Sequence, residues 1–418
     1  MKELKYKNKS LEFASLDIAK IAKKHKTPFY LYSEEVLAGN YTEFYEGAKK
    51  AGLIKPLVCF ALKSNPNKEF VKVLAKLGSG ADIVSGGELK RALEAGIPAH
   101  KIVFSGVGKT DEEIVYALKK EVYSFNVESI EELELINFYA KKLKKTARIC
   151  FRLNPVVVPK THKYISTGNK THKFGILEKD ILDSLKVSKL WTHSKLVGIS
   201  IHIGSQLLDL KATKLAIARL CEVALKTKQP LEFIDVGGGL GVDYHPTETA
   251  KLPTIETYMK LVAKTTQDHF YKKSDLRPRI VFEPGRRISA KAGILVMKVL
   301  RNKVSENNRF MIVDGGMNDF MRPSLYGAYH GLSPVKENKS KPVLTHVVGP
   351  ICETSDLFGT RPMPKLESGE LIVLEDTGAY GYSMGSNYNL RGRPLELLAN
   401  KKKKLKVVNK AQDYSELT

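Results

Sequence analysis

The sequence predicts a closed (β/α)8 barrel followed by a second, mostly-β domain, and three observations carry that expectation. Between residues 57 and 286, short apolar and β-branched runs alternate with longer amphipathic stretches. The alternation repeats through eight strand candidates in about 230 residues, the size of a closed parallel barrel. Beyond residue 290 helical periodicity gives way to strand-like runs separated by Gly, Pro and Asn turns.

The expected barrel strands are Pro56–Leu62, Ala81–Val84, Lys101–Phe104, Val122–Val127, Ala147–Leu153, Leu196–Ile203, Leu231–Val236 and Arg279–Glu283. Helical patterns fall at Glu69–Lys76, Gly87–Ala95, Asp111–Lys120, Glu128–Lys144, Ala212–Lys226 and Thr254–Tyr271. One helix between successive strands implies parallel pairing, and eight units exceed the usual extent of an open doubly wound sheet. The connection Leu153–Phe174 is too long for an ordinary turn and is expected to be functional or mobile. Later strands are expected at Gly293–Leu300, Phe310–Val313, Val343–Val348 and Leu371–Leu374, and the run Pro28–Tyr32 is expected to join them. The domain assignment is therefore 33–285 for the barrel, with 1–32 and 286–418 forming the β-sheet domain.

The 418 residues are 43% hydrophobic and 27% charged, the balance of a folded chain and not of a disordered one. No apolar run reaches the ~20 residues that span a bilayer, so no membrane insertion is expected. Four scattered cysteines (Cys59, Cys150, Cys221 and Cys352) fit reduced thiols better than a disulfide framework or a zinc site. The N-terminal MKELKYKNKSLEF lacks an apolar signal core, which makes the cytoplasm the expected location. A formal charge of +23 invites a nucleic-acid reading. The lysines, however, lie along the whole chain on polar helix sides such as 139–145, with one dense block at Lys401–Lys404. With no zinc-finger, RNP or KH motif, no nucleic-acid partner is expected.

Barrel chemistry sits where strands end. The first strand ends in Ala61-Leu62-Lys63, where a desolvated lysine could do Schiff-base chemistry or simply reach solvent at the rim. The sixth ends in Ser200-Ile201-His202, a histidine open to both catalytic and structural readings. The seventh ends in Asp235-Val236-Gly237-Gly238-Gly239, whose bare backbone could close on a phosphate or form a plain tight turn. The eighth ends in Glu283-Pro284-Gly285-Arg286, where a simple ion pair is the alternative. Gly106-Val107-Gly108-Lys109-Thr110 resembles a P-loop, but Val103 stands where that motif requires glycine.

An amine, an imidazole, a glycine cradle and a carboxylate at one barrel mouth suit pyridoxal 5'-phosphate (PLP). The amine would form the covalent link, and the carboxylate would keep the pyridine nitrogen protonated. The sequence resembles the barrel-fold PLP-dependent decarboxylases of basic amino acids, the alanine racemase-like and ornithine decarboxylase-like group. The carriers are FALKSN (60–65), GADIVSGGEL (80–89), HIGSQ (202–206), DVGGGLG (235–241), EPGR (283–286), NDFMRPSLYGAYH (318–330), GPICETSD (349–356) and DTGAYGYSM (376–384).

The resemblance implies that Lys63 carries PLP, His202 stacks on its ring and Glu283 pairs with the ring nitrogen. It implies that Ser205, Gly237, Gly238, Gly239, Gly285 and Arg286 hold the phosphate, with Tyr380 also at the cofactor. Substrate contacts are implied for Arg286, Arg322, Tyr326, Glu353 and Tyr380, and Cys352 is implied as the acid that reprotonates carbon. The cysteine–glutamate pair and Tyr380 would come from the other subunit of a head-to-tail homodimer. An ornithine-type enzyme would favour a carboxylate in the distal pocket, whereas the fork of Arg322 suits a second substrate carboxylate. The expected reaction is decarboxylation of meso-2,6-diaminopimelate to L-lysine and CO2, the last step of lysine biosynthesis. A catalytically dead regulator would be expected to have lost Lys63 or Cys352, and a racemase would not need the second carboxylate site.

Overall fold

The computed structural model describes residues 3–157, 173–245 and 252–417, so most of the long connection after Leu153 lies outside the described residues. The chain divides into two compact units. One comprises Tyr41–Val242 and Lys251–Arg287, the other Met1–Asn40, Asp243–Ala250 and Ile288–Thr418.

The first unit is the expected barrel. Its strands are β1 (Leu57–Ala61), β2 (Gly80–Ile83), β3 (Ile102–Phe104), β4 (Ser124–Val127), β5 (Ala147–Arg152), β6 (Ser194–Ser200), β7 (Phe233–Asp235) and β8 (Arg279–Phe282). Neighbours run parallel, and β8 closes the ring on β1 through Val281 opposite Leu57 and Phe282 opposite Val58. Several of the helices begin where the sequence supplies a side-chain acceptor. Ser85 takes the Glu88 N–H, Thr110 and Glu113 form a capping box, and Ser129 takes the Glu132 N–H. Two helices, Glu34–Lys50 and Glu178–Lys186, fall outside the helical patterns read from the sequence. The first of them contains Gly39 and Gly47, which lower helix propensity and blur its periodicity.

Strand alternation divides each barrel residue between helices and interior. Outward-facing Phe282 meets Phe44 edge-on at 5.6 Å and Tyr258 at 6.1 Å between ring centroids. Inside, Leu57, Cys59, Val103, Tyr123, Cys150, Val197, Phe233 and Val281 form one apolar cluster. The Phe233 ring occupies the space above Gly198, where a Cβ would lie 2.4 Å from the ring. One step further along the strands the buried residues turn polar: Asp82, Asn126, Asp235 and Glu283. The barrel therefore has a dry floor and an acidic upper layer at the ends of its strands.

The second unit is built on a nine-stranded sheet. Its central strand, Gly293–Ser305, pairs with Phe29–Ser33 and Leu371–Leu374 along its first half and with Asn308–Val313 along its second. Val343–Val348 and Leu357–Met363 extend one side, while Leu395–Ala399 and Leu405–Asn409 extend the other. Phe29, Leu31, Ile294, Val296, Val373 and Leu397 pack with Leu11, Phe13 and Ile18 into its core.

Phe233→Ala should cost the barrel about 3–5 kcal/mol, the usual loss for a fully buried aromatic. The chain's one tryptophan, Trp191, packs on Phe151 within the barrel unit, so its fluorescence during urea denaturation reads this loss.

Candidate active site

Lys63 lies in a short 3₁₀ turn, Leu62–Ser64, directly after β1. The Ser64 hydroxyl ties that turn back by donating to the Ala61 carbonyl at 2.8 Å. The turn places Lys63 Nζ 3.1 Å from Oδ2 of Asp82, which is buried at the end of β2. Glu283, just beyond β8, accepts from Asn126 Nδ2 at 3.0 Å and from Ser105 Oγ at 3.4 Å. Asn126 Nδ2 also reaches Ser105 Oγ at 3.1 Å, so three strand ends hold one carboxylate in place.

The glycine turn after β7 is shaped by contacts that exclude side chains. A Cβ at Gly237 would lie 2.2 Å from the Ile201 carbonyl, one at Gly238 2.2 Å from the Glu283 carbonyl, and one at Gly239 2.3 Å from the Gly204 carbonyl. Gly237 and Gly239 also have φ of +69° and +106°, values that L side chains rarely adopt. The Gly237 N–H donates to Asp235 Oδ1 at 2.8 Å and the Gly238 N–H to His202 Nδ1 at 3.3 Å. Arg286 donates from Nε and Nη2 to Ser205 Oγ at 3.2 and 2.9 Å. Gly285 lies close to the lysine turn, where a Cβ would meet Ser64 Cβ at 3.0 Å.

Charge in this mouth is governed by burial. It pushes the Glu283 carboxyl well above the ordinary range, helped by the Asp235 and Asp82 charges and opposed by Lys63. It pushes Asp235 up to about 7 against the hydrogen bond from Gly237, and Glu88 up to about 7 against its bond from Val84. It holds the His202 imidazole well below its usual range, with the Lys63 and Arg152 cations acting in the same direction. His202 is therefore neutral at physiological pH, accepting at Nδ1 and carrying its proton on Nε2. Asp82 Oδ1 and Asp235 Oδ2 are buried without a donor. Asp235 and Glu283 are linked through a side-chain hydrogen bond, and two such buried carboxyls do not both ionise cheaply.

A family comparison matches residues 43–290 to the pyridoxal-dependent decarboxylases, in their pyridoxal-binding domain. The chain belongs to this family. The chain is 43% identical over 401 residues to a Helicobacter pylori diaminopimelate decarboxylase, covering 94% of this chain and 95% of that one. It is 38% identical over 415 residues to the Aquifex aeolicus diaminopimelate decarboxylase, covering 98% and 95%. Among solved structures, the H. pylori diaminopimelate decarboxylase complexed with L-lysine aligns with a TM-score of 0.89 at 41% identity, covering 96% of this chain and 98% of that one. The M. jannaschii diaminopimelate decarboxylase in co-complex with L-lysine aligns at 0.92 and 37%, covering 99% and 96%.

The mouth fits the family's cofactor. Donor-less carboxylate oxygens beside Glu283 suit a group that brings an N–H cation, and the glycine turn is closed to side chains but lined with backbone. The barrel unit thus gathers Lys63, His202, Ser205, Gly237–Gly239, Glu283, Gly285 and Arg286. The other expected residues belong to the second unit. Arg322 is buried at the start of helix Arg322–Tyr326. Tyr380 has φ +56°. Cys352 and Glu353 are exposed. The Cys352 N–H donates to Asn389 Oδ1 at 2.9 Å, and the Tyr388 hydroxyl donates to Glu353 Oε1 at 2.5 Å. The sequence reading missed Asp82, Glu88, Ser105, Asn126 and Tyr388; only Asp82 and Glu88 stood inside a motif it had singled out, GADIVSGGEL. Lys109 of the P-loop look-alike is consumed internally: its Nζ donates to the Gly106 and Asn126 carbonyls and pairs with Glu132 at 2.6 Å.

Gly237→Ala drives a Cβ into the Ile201 carbonyl at positive φ, and should weaken PLP binding roughly tenfold or more, measured by equilibrium dialysis. The raised Asp235 carboxyl makes the folded cofactor-free chain hold a proton that the unfolded chain releases. Its stabilising contribution is complete below the ordinary 3.8 and is lost as pH rises to about 7. The thermal midpoint of cofactor-free protein should therefore fall across that window, with a shallower slope in Asp235→Asn.

Proposed function

We propose that this chain decarboxylates meso-2,6-diaminopimelate to L-lysine and CO2 with PLP, in the cytoplasm. The observation that carries the reading is the barrel mouth itself. Lys63 pairs with Asp82 there, close enough for its charge to act on both His202 and Glu283. The near-full-length relatives named above are diaminopimelate decarboxylases, which supports the choice of substrate. Among the described residues no helix is long and apolar enough to cross a membrane.

Bound PLP supplies a protonated conjugated ring that accepts the electron pair left when a carboxylate departs as CO2. Lys63 would hold the cofactor covalently and yield its place to the substrate amine, with Asp82 as the ion-pair partner that keeps Nζ at the mouth. Gly237–Gly239, Ser205, Gly285 and Arg286 would bind the phosphate. Glu283, positioned by Asn126 and Ser105, would face the ring nitrogen, and the neutral His202 would cover a ring face without competing for that charge. The apolar floor below the carboxylates would strengthen each charge interaction at the mouth. Arg286, Tyr326, Glu353 and Tyr380 would contact substrate, with Arg322 taking its second carboxylate as a bidentate fork. Cys352 would return a proton from Sγ to carbon. A homodimer would supply Cys352, Glu353 and Tyr380 across its interface. The exposure of Cys352 and Glu353 beside Tyr388 (45% exposed) and Leu390 (65%) supports that arrangement.

Purified protein mixed with PLP and meso-diaminopimelate should release CO2 and L-lysine. Lys63→Ala should abolish both turnover and the visible absorbance of the cofactor linkage, and Arg322→Ala should lose most turnover. Comparable efficiency on ornithine, or a colourless wild-type protein after PLP incubation, would overturn the assignment.

A further inference from the structure

Arg322 is 4% exposed, and burying a cation is costly unless its N–H groups are satisfied. Its Nη1 lies 2.6 Å from Nε2 of His330, a residue with no exposed surface. A guanidinium can only donate, so Nε2 must present a lone pair. On the other side of the ring, Nδ1 lies 2.8 Å from the Glu375 carbonyl, which can only accept, so Nδ1 carries the proton. The two contacts independently demand the same neutral tautomer.

The anchor is rigid. Glu375 follows strand Leu371–Leu374, which pairs with Leu332–Pro334, and its N–H donates to the Gly331 carbonyl at 2.9 Å. Aromatic rings fix the imidazole plane: Phe320 lies edge-on at 4.6 Å and Tyr244 at 4.7 Å between centroids. Tyr244 also lies under the Arg322 guanidinium at 4.8 Å, and Arg361 Nη1 donates to the His330 carbonyl at 2.7 Å.

We infer that His330 is a positioning residue for substrate selection: held on the Glu375 carbonyl, its neutral imidazole fixes the orientation of Arg322 toward a substrate carboxylate without itself cancelling the guanidinium charge. A carboxylate in place of His330 would satisfy the same donor but cancel the charge that the ligand needs. The inference rests on the reading of Arg322 as the arginine for the second carboxylate, and identifies what makes that arginine selective.

The test uses holoenzyme and two ligands of similar length: L-lysine, which keeps one carboxylate, and 1,5-diaminopentane, which has none. Affinities are measured by calorimetry beside steady-state turnover of diaminopimelate. His330→Phe keeps a ring among Tyr244 and Phe320 but removes both hydrogen bonds. It should weaken L-lysine binding roughly 10- to 100-fold and raise KM for diaminopimelate correspondingly, with kcat much less affected. Affinity for 1,5-diaminopentane should be unchanged. His330→Gln, which offers an acceptor and a donor on one amide, should restore most of the selectivity. If His330→Phe does not fold, His330→Asn replaces it, since the shorter side chain cannot span both partners. Loss of selectivity in Arg322→Ala but not in the His330 variants would overturn the role of His330 alone. Retention of selectivity in Arg322→Ala would overturn the reading of Arg322 and this inference with it. Equal weakening toward both ligands would mark His330 as merely structural.

Discussion

The Lys63 ammonium, 3.1 Å from a buried Asp82, is the interaction around which the barrel mouth is organised. Asp82, Asp235 and Glu283 are all nearly inaccessible, and their strand ends converge on one acidic layer. Such a layer is tolerable because a lysine, an amide and a hydroxyl donate into it and burial pushes the Asp235 and Glu283 carboxyls toward their neutral forms. The apolar floor below it, built from Cys59, Phe233, Val281 and their neighbours, lowers the local polarity on one side and so strengthens each pairing.

The two units use charge in opposite ways. The barrel surrounds one amine with carboxylates, an environment that receives cationic nitrogen. The second unit holds a buried arginine on an imidazole whose two nitrogens are both engaged, one by Arg322 and one by the Glu375 carbonyl. The overall charge of +23 plays no visible part in either, since the lysines that produce it are spread along the chain.

Much of this was legible in the sequence because barrel strands obey a strict period. All eight strands appear where β-branched runs were separated by amphipathic stretches, and Lys63, His202, the glycine run and Glu283 stand out as the residues that end them. The helix Glu34–Lys50 escaped because its glycines blurred the pattern. The supports of Glu283 escaped for a different reason. Asn126 and Ser105 are 157 and 178 residues away in sequence, and nothing local marks a buried asparagine as a carboxylate's partner.

The sequence by itself determined the barrel, its order of strands and the residue types at their ends, because alternation and turn chemistry are local properties of the chain. Only the tertiary structure decided which groups share protons and charges. Closing the ring brings Asp82, Asp235 and Glu283 together, packing of adjacent barrel segments turns the P-loop look-alike Lys109 inward onto Glu132, and the fold of the separate sheet unit sets His330 between the Glu375 carbonyl and Arg322. Those pairings depend on burial and on distance through space, neither of which is written in the spacing of residues along the chain.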